Sequence, residues 1–183
     1  TVKAPALVAN HQGAGSVLVI VDGSTYYEIG GVTVNTTTHT ITGGSSWATG
    51  SYATGPGAGS ANNDGVRGAN TSMLGGLITG RDFANGTIDH ALAVALPWHM
   101  LNGAPGAGYR YPATAYAAGG WTGPIQMGSK IGIPASTPMP AGLSPAGVMM
   151  FNALKTYGAY VTDYVGGAWP SFYADANTVS SPQ

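Results

Sequence analysis

Two strand-like runs flanking Asp22-Gly23 constrain this chain more than any other feature. Val17-Leu18-Val19-Ile20-Val21 precedes the dipeptide and Thr25-Tyr26-Tyr27-Glu28-Ile29 follows it. β-branched and aromatic residues favour a pleated strand, and Asp-Gly supplies the backbone a tight hairpin needs. Side chains alternate along a strand, so Tyr26 and Glu28 share one face and Tyr27 and Ile29 the other. Gly30-Gly31 closes the run. Val32-Thr33-Val34 and Thr38-His39-Thr40-Ile41-Thr42 read as a second, more exposed pair.

The rest of the chain continues in short elements. Residues 50–71 and 102–120 are rich in Gly, Ala, Ser and Asn and predict long loops. Arg81-Asp82-Phe83-Ala84-Asn85 reads as one helical turn closed by Gly86. Ile88–Leu96 reads as a strand stopped by Pro97. On it Ile88, His90, Leu92, Val94 and Leu96 share a face, and Asp89, Ala91, Ala93 and Ala95 the other. Gln126–Ile133 predicts a further strand. Ser144-Pro145 marks a helix start, Ser as N-cap and Pro in the first turn, running to about Tyr157. Tyr160–Tyr164, a Gly166-Gly167 turn and Ser171-Phe172-Tyr173 predict a closing hairpin. The sum is a mainly all-β fold, a β-sandwich or jelly roll with one helix in its C-terminal half and long Gly-rich loops. Residues 1–10, apolar and Pro-containing, read as an N-terminal arm, and 11–183 as a single sandwich domain.

Charge narrows the partners. The 183 residues include six Lys or Arg and seven Asp or Glu, with a formal net charge of −1. That gives no electrostatic footprint for nucleic acid or an anionic membrane surface. No apolar run is long enough to cross a bilayer. A surface covered by Thr, Ser, Asn and Gly fits an extracellular, secreted protein. The chain lacks Cys, which removes disulfides and thiolate metal sites. His11, His39, His90 and His99 have no metal-ligand spacing. Asn62-Asn63-Asp64-Gly65 reads as a turn rather than a calcium loop. No metal or cofactor is expected.

Against so sparse a background, residues 73–99 hold Arg81, Asp82, Asp89, His90 and His99 together. Glu28 is the chain's single Glu. Two readings follow for its carboxylate: an acid or nucleophile on a concave sheet face, or a strand carboxylate accepting backbone or Tyr hydrogen bonds. His90 is likewise a general base or acid, or a core histidine. Trp47, Tyr52, Trp98, Tyr109, Tyr111, Trp121 and Trp169 fall in or beside loops, where aromatic faces can stack on sugar rings.

The leading expectation is a carbohydrate-active enzyme, a polysaccharide hydrolase or lyase. Glu28, His90 and Asp163 would be catalytic. Tyr26, Arg81, Trp98, Arg110 and Trp121 would bind substrate. Paired carboxylates roughly 5–9 Å apart would serve hydrolysis. The alternatives are a non-catalytic glycan-binding or adhesive module, and a structural subunit of an extracellular filament or virion. A homo-oligomer is compatible with each.

Three blocks carry a resemblance: LGGLI…NGTIDHALAVALP (Leu74–Pro97), MGSKIGIP (Met127–Pro134) and ALKTYGAYVTDYVGGAWPSFYAD (Ala153–Asp175). In this order they resemble a family of uncharacterised secreted bacterial proteins, some associated with phage or extracellular polysaccharide. Tyr27-Glu28 is similar to an aromatic-Glu step early in that family. The resemblance implies a secreted, sandwich-like domain and implies no reaction.

Overall fold

A computed structural model describes residues 17–35, 37–38, 40–51, 65–117 and 119–175. The expected N-terminal arm, His11, His39, Tyr52 and the Asn62–Asp64 turn lie outside the described residues. The described chain is mostly strands in two sheets.

The first sheet is the hairpin and its extension. β1 (Val17–Asp22) and β2 (Thr25–Asn35) pair antiparallel, with Asp22 opposite Thr25 across the tight turn. Gly23 sits at φ 59°, the left-handed geometry that such a turn demands. β2 then pairs antiparallel with β3 (Thr40–Ser51). The two expected strand pairs are thus one meander. Val32 and its neighbours continue β2 past a bulge at Gly30–Val32. The alternation read from the sequence is present: Tyr26 and Glu28 are buried and Tyr27 is exposed.

The second sheet has the order β5 (Lys130–Ile131), β6 (Ala159–Val165), β4 (Leu92–Pro97), β7 (Ser171–Phe172). β4 (Leu92–Pro97) lies inside it and is buried along its whole length. Leu92, Val94 and Leu96 join Met149 and Ala153 of the long helix in one core. The intervening Ala93 and Ala95 are small enough for chain to pass close on the other side, and Ala93 N–H donates to Gly76 C=O at 3.0 Å. β5 is only Lys130–Ile131, a fragment of the strand expected over 126–133.

Two expectations are corrected here. The strand expected from Ile88 begins at Leu92, because His90 is drawn into contacts around a short helix, α1 (Gly80–Asn85), and extended pairing starts where Leu92 N–H reaches Gly158 C=O. The expected closing hairpin does not form. β6 (Ala159–Val165) runs parallel to β4, and β7 (Ser171–Phe172) pairs antiparallel with the other edge of β4. β4 and β6 are therefore joined by a crossover through α2 (Pro145–Thr156), the connection a parallel pair requires. α2 starts as expected: Ser144 Oγ accepts the Gly147 N–H at 3.2 Å, and Pro145 occupies the first turn.

Candidate functional site

Two hollows lie near the C-terminal ends of the parallel strands β4 and β6. The first holds about 460 Å³ and is lined by Trp98, His99, Trp121, Thr122, Tyr164 and the Gly119-Gly120 backbone. Its walls come from three places. Pro97 ends β4, and a single 3-10 turn, Trp98–Met100, carries Trp98 and His99. Tyr164 lies opposite Leu96 on β6. The Trp121 segment is pinned beside them by an Asn102–Thr122 bridge and by Gly103 N–H donating to Trp121 C=O at 2.8 Å. The Trp121 and Tyr164 rings tilt together at 4.9 Å between centroids, and His99 meets Trp98 edge-on at 5.6 Å. Gly119 passes directly under the Trp121 ring, where any Cβ would collide with the indole. Trp98 and Tyr164 stay about half exposed, so their faces are available to a ligand.

The second hollow, about 500 Å³, lies between the two sheets. Gly30, Ser45 and Val17 of the first face Ala95, Asp163, Ser171 and the Tyr173 segment of the second. Asp163 Oδ1 accepts Tyr164 N–H at 2.9 Å, and Oδ2 accepts the Tyr173 hydroxyl at 3.2 Å. Gly68 approaches so closely that an added Cβ would stand 2.6 Å from Asp163 Oδ1. Burial pushes the Asp163 carboxyl above its ordinary value, against the hydrogen bonds from Tyr164, Gly68 and Tyr173 and the Arg67 charge that pull it down. Burial and the neighbouring carboxylate push the Tyr173 phenol up as well. Tyr164 lines both hollows.

Arg67 and Glu28 build the wall behind. Glu28 is fully buried. Its Oε1 accepts Ser72 Oγ–H at 2.5 Å and Met73 N–H at 2.7 Å, and Oε2 accepts Val66 N–H at 3.2 Å. Arg67 grips the same turn from its carbonyls: Ser72 at 2.8 Å, Gly75 at 2.6 Å and Met73 at 3.0 Å. Its guanidinium stacks 4.3 Å above the Tyr173 ring. Burial lowers the Arg67 pKa, opposed by the charges of Tyr173, Glu28 and Asp163. The two side chains are a clamp on residues 65–75, one taking its donors and the other its acceptors.

The residues singled out from sequence therefore part company. Trp98 and Trp121 come together in the first hollow, and Asp163 faces the second. Glu28 is turned away from solvent with both oxygens engaged, so the strand-carboxylate reading describes it and a substrate-facing acid does not. Tyr26, at 2% exposed, packs over Gly50 and lines neither of these two hollows. His90 bonds Ala91 C=O at 3.0 Å and Asp82 Oδ2 at 3.4 Å. That carboxylate also accepts Thr79 N–H and Oγ–H, as the cap of α1. Burial would raise Asp82, but the Thr79 and His90 bonds outweigh it and hold the carboxyl below its ordinary value. His90 is thus engaged with a helix cap. Arg81 and Arg110 are exposed and line neither hollow. Tyr164, Tyr173 and Arg67 were missed by sequence reasoning. Only the aromatic character of the first two was a signal, and Arg67 lies in a Gly-rich segment without periodicity.

No family model, curated protein or solved structure matches this chain.

Proposed function

We propose that this protein is a secreted, non-catalytic glycan-binding module whose site is the aromatic hollow between Trp98, Trp121 and Tyr164. The observation that carries the reading is three large rings from separate segments around one open hollow, with no Asp, Glu, Lys or Arg lining it among the described residues. Sugar rings present C–H groups to aromatic faces and hydroxyls to the polar groups around them. Thr122 and His99 supply those groups here. The expected test is retardation of the protein in gels containing neutral polysaccharides. Trp98→Ala or Trp121→Ala should weaken binding at least tenfold, about 1.4 kcal/mol. Unchanged retardation in both variants would end the reading.

A polysaccharide-cleaving enzyme is the second reading, and Asp163 favours it. A carboxyl raised by burial beside an open hollow is suited to donating a proton. Ordinary glycoside hydrolysis needs a second carboxyl, and among the described residues neither hollow is lined by two. Release of reducing ends from a polysaccharide by the wild type, abolished in Asp163→Asn, would favour this reading over binding alone.

A further inference from the structure

Resting on the glycan reading, we infer that the site continues past Tyr164 into the hollow between the sheets, so that the protein holds a neutral oligosaccharide spanning two subsites. One end stacks on Trp98 and Trp121. The other is hydrogen-bonded beside Asp163, Tyr173 and Ser171.

The geometry argues this in three steps. First, Tyr164 is a lining residue of both hollows, its ring beside Trp121 in the first and its neighbour Asp163 in the second, so a ligand crossing the C-terminal end of β6 borders each. Each hollow, at about 460 and about 500 Å³, is the size of a small-molecule pocket in its own right. Second, the two are chemically complementary. The first offers ring faces, and the second offers a carboxyl and three hydroxyls, from Tyr173, Ser171 and Ser45. A sugar chain presents both kinds of surface along its length. Asp163 is held in place by Tyr164 N–H and the Tyr173 hydroxyl, which fixes the direction of its free lone pairs.

Third, the charges select against acidic sugars. The cation lining the second hollow is Arg67, whose terminal nitrogens are committed to the carbonyls of Ser72, Met73 and Gly75 and whose Nε is enclosed. It offers no fork to a uronate or sulfate, whose desolvation beside the Asp163 carboxyl would go uncompensated. A neutral chain meets no such cost.

Calorimetric titration with cello- and chito-oligosaccharides of one to six units, and with oligouronates of matched length, tests the inference. Wild-type affinity should rise at least tenfold between one unit and four, and oligouronates should bind at least tenfold more weakly. Ser171→Trp sets a bulky ring at an exposed position lining the second hollow, at a residue that is not a partner in the Asp163 hydrogen bonds to Tyr164 and Tyr173. It should erase the length-dependent gain. Asp163→Asn should reduce the gain as well. A gain that survives Ser171→Trp, or tighter binding of oligouronates, would overturn the two-subsite inference. If Trp98→Ala and Trp121→Ala also leave binding intact, or no neutral probe binds, the glycan reading fails with it. If those two variants lose binding while Ser171→Trp changes nothing, the second subsite alone is wrong.

Discussion

Glu28 shows how one residue can be placed correctly and still be misread. Its strand face and its company with Tyr26 follow from period-two alternation, which is a local property. Its role depends on Val66, Ser72 and Met73, whose donors are mostly backbone N–H groups and leave no mark in a sequence. Glu28→Gln puts an amide where a carboxylate accepts three donors, so at least one of them loses its partner. The expected outcome is a loss of about 2–4 kcal/mol in urea unfolding, with the turn at 65–75 becoming a site of faster amide exchange. Asp163 makes a prediction of opposite character. Its raised pKa means that the folded protein holds this proton more tightly than the unfolded chain does. The stability it confers is complete below the ordinary value of 3.8 and is lost as pH rises through the folded value. Asp163→Asn should therefore gain melting temperature relative to wild type between pH 4 and pH 7, measured by circular dichroism at both. Asp82 works in the reverse sense. Its lowered pKa contributes stability above the ordinary carboxylate range and withdraws it as pH falls.

At the scale of elements, local chemistry was legible and long-range pairing was not. The first hairpin, the turn at Arg81–Asn85 and the helix after Ser144 each rest on a signal within a few residues, and each is present. Ser144→Ala removes the cap of α2 and should cost about 1 kcal/mol, a drop of roughly 2–4 °C in melting temperature for a chain of this length. The failure at β6 and β7 is instructive. Gly166-Gly167 between two aromatic runs has the composition of a hairpin turn, yet the chain continues and delivers β7 to the far edge of β4. Whether two neighbouring strands pair with each other or with a third is decided by which edge buries more surface, and alternation does not encode that. The parallel β4–β6 pair was hidden for the same reason, its connecting helix being separated from β4 by a long segment of irregular chain.

For the whole molecule, the scarcity of charge is the property that carries through every level. With a net charge of −1 and 7% charged residues, recognition has little to gain from long-range attraction. Raising NaCl from 50 to 500 mM should leave affinity for a neutral oligosaccharide within twofold, since screening acts on charges and no Asp, Glu, Lys or Arg lines the aromatic hollow among the described residues. A salt-sensitive affinity would point to an ionic partner instead.

The crossover between β4 and β6 has one more consequence. Trp98 leaves the end of one strand and Tyr164 sits near the end of the other, with Trp121 and all of α2 strung between them in the chain. A guest touching both rings acts as a splint across that detour. Saturating ligand should lift the unfolding midpoint by mass action. A polypeptide nicked within the detour would retain every aromatic residue and forfeit the receptor they compose.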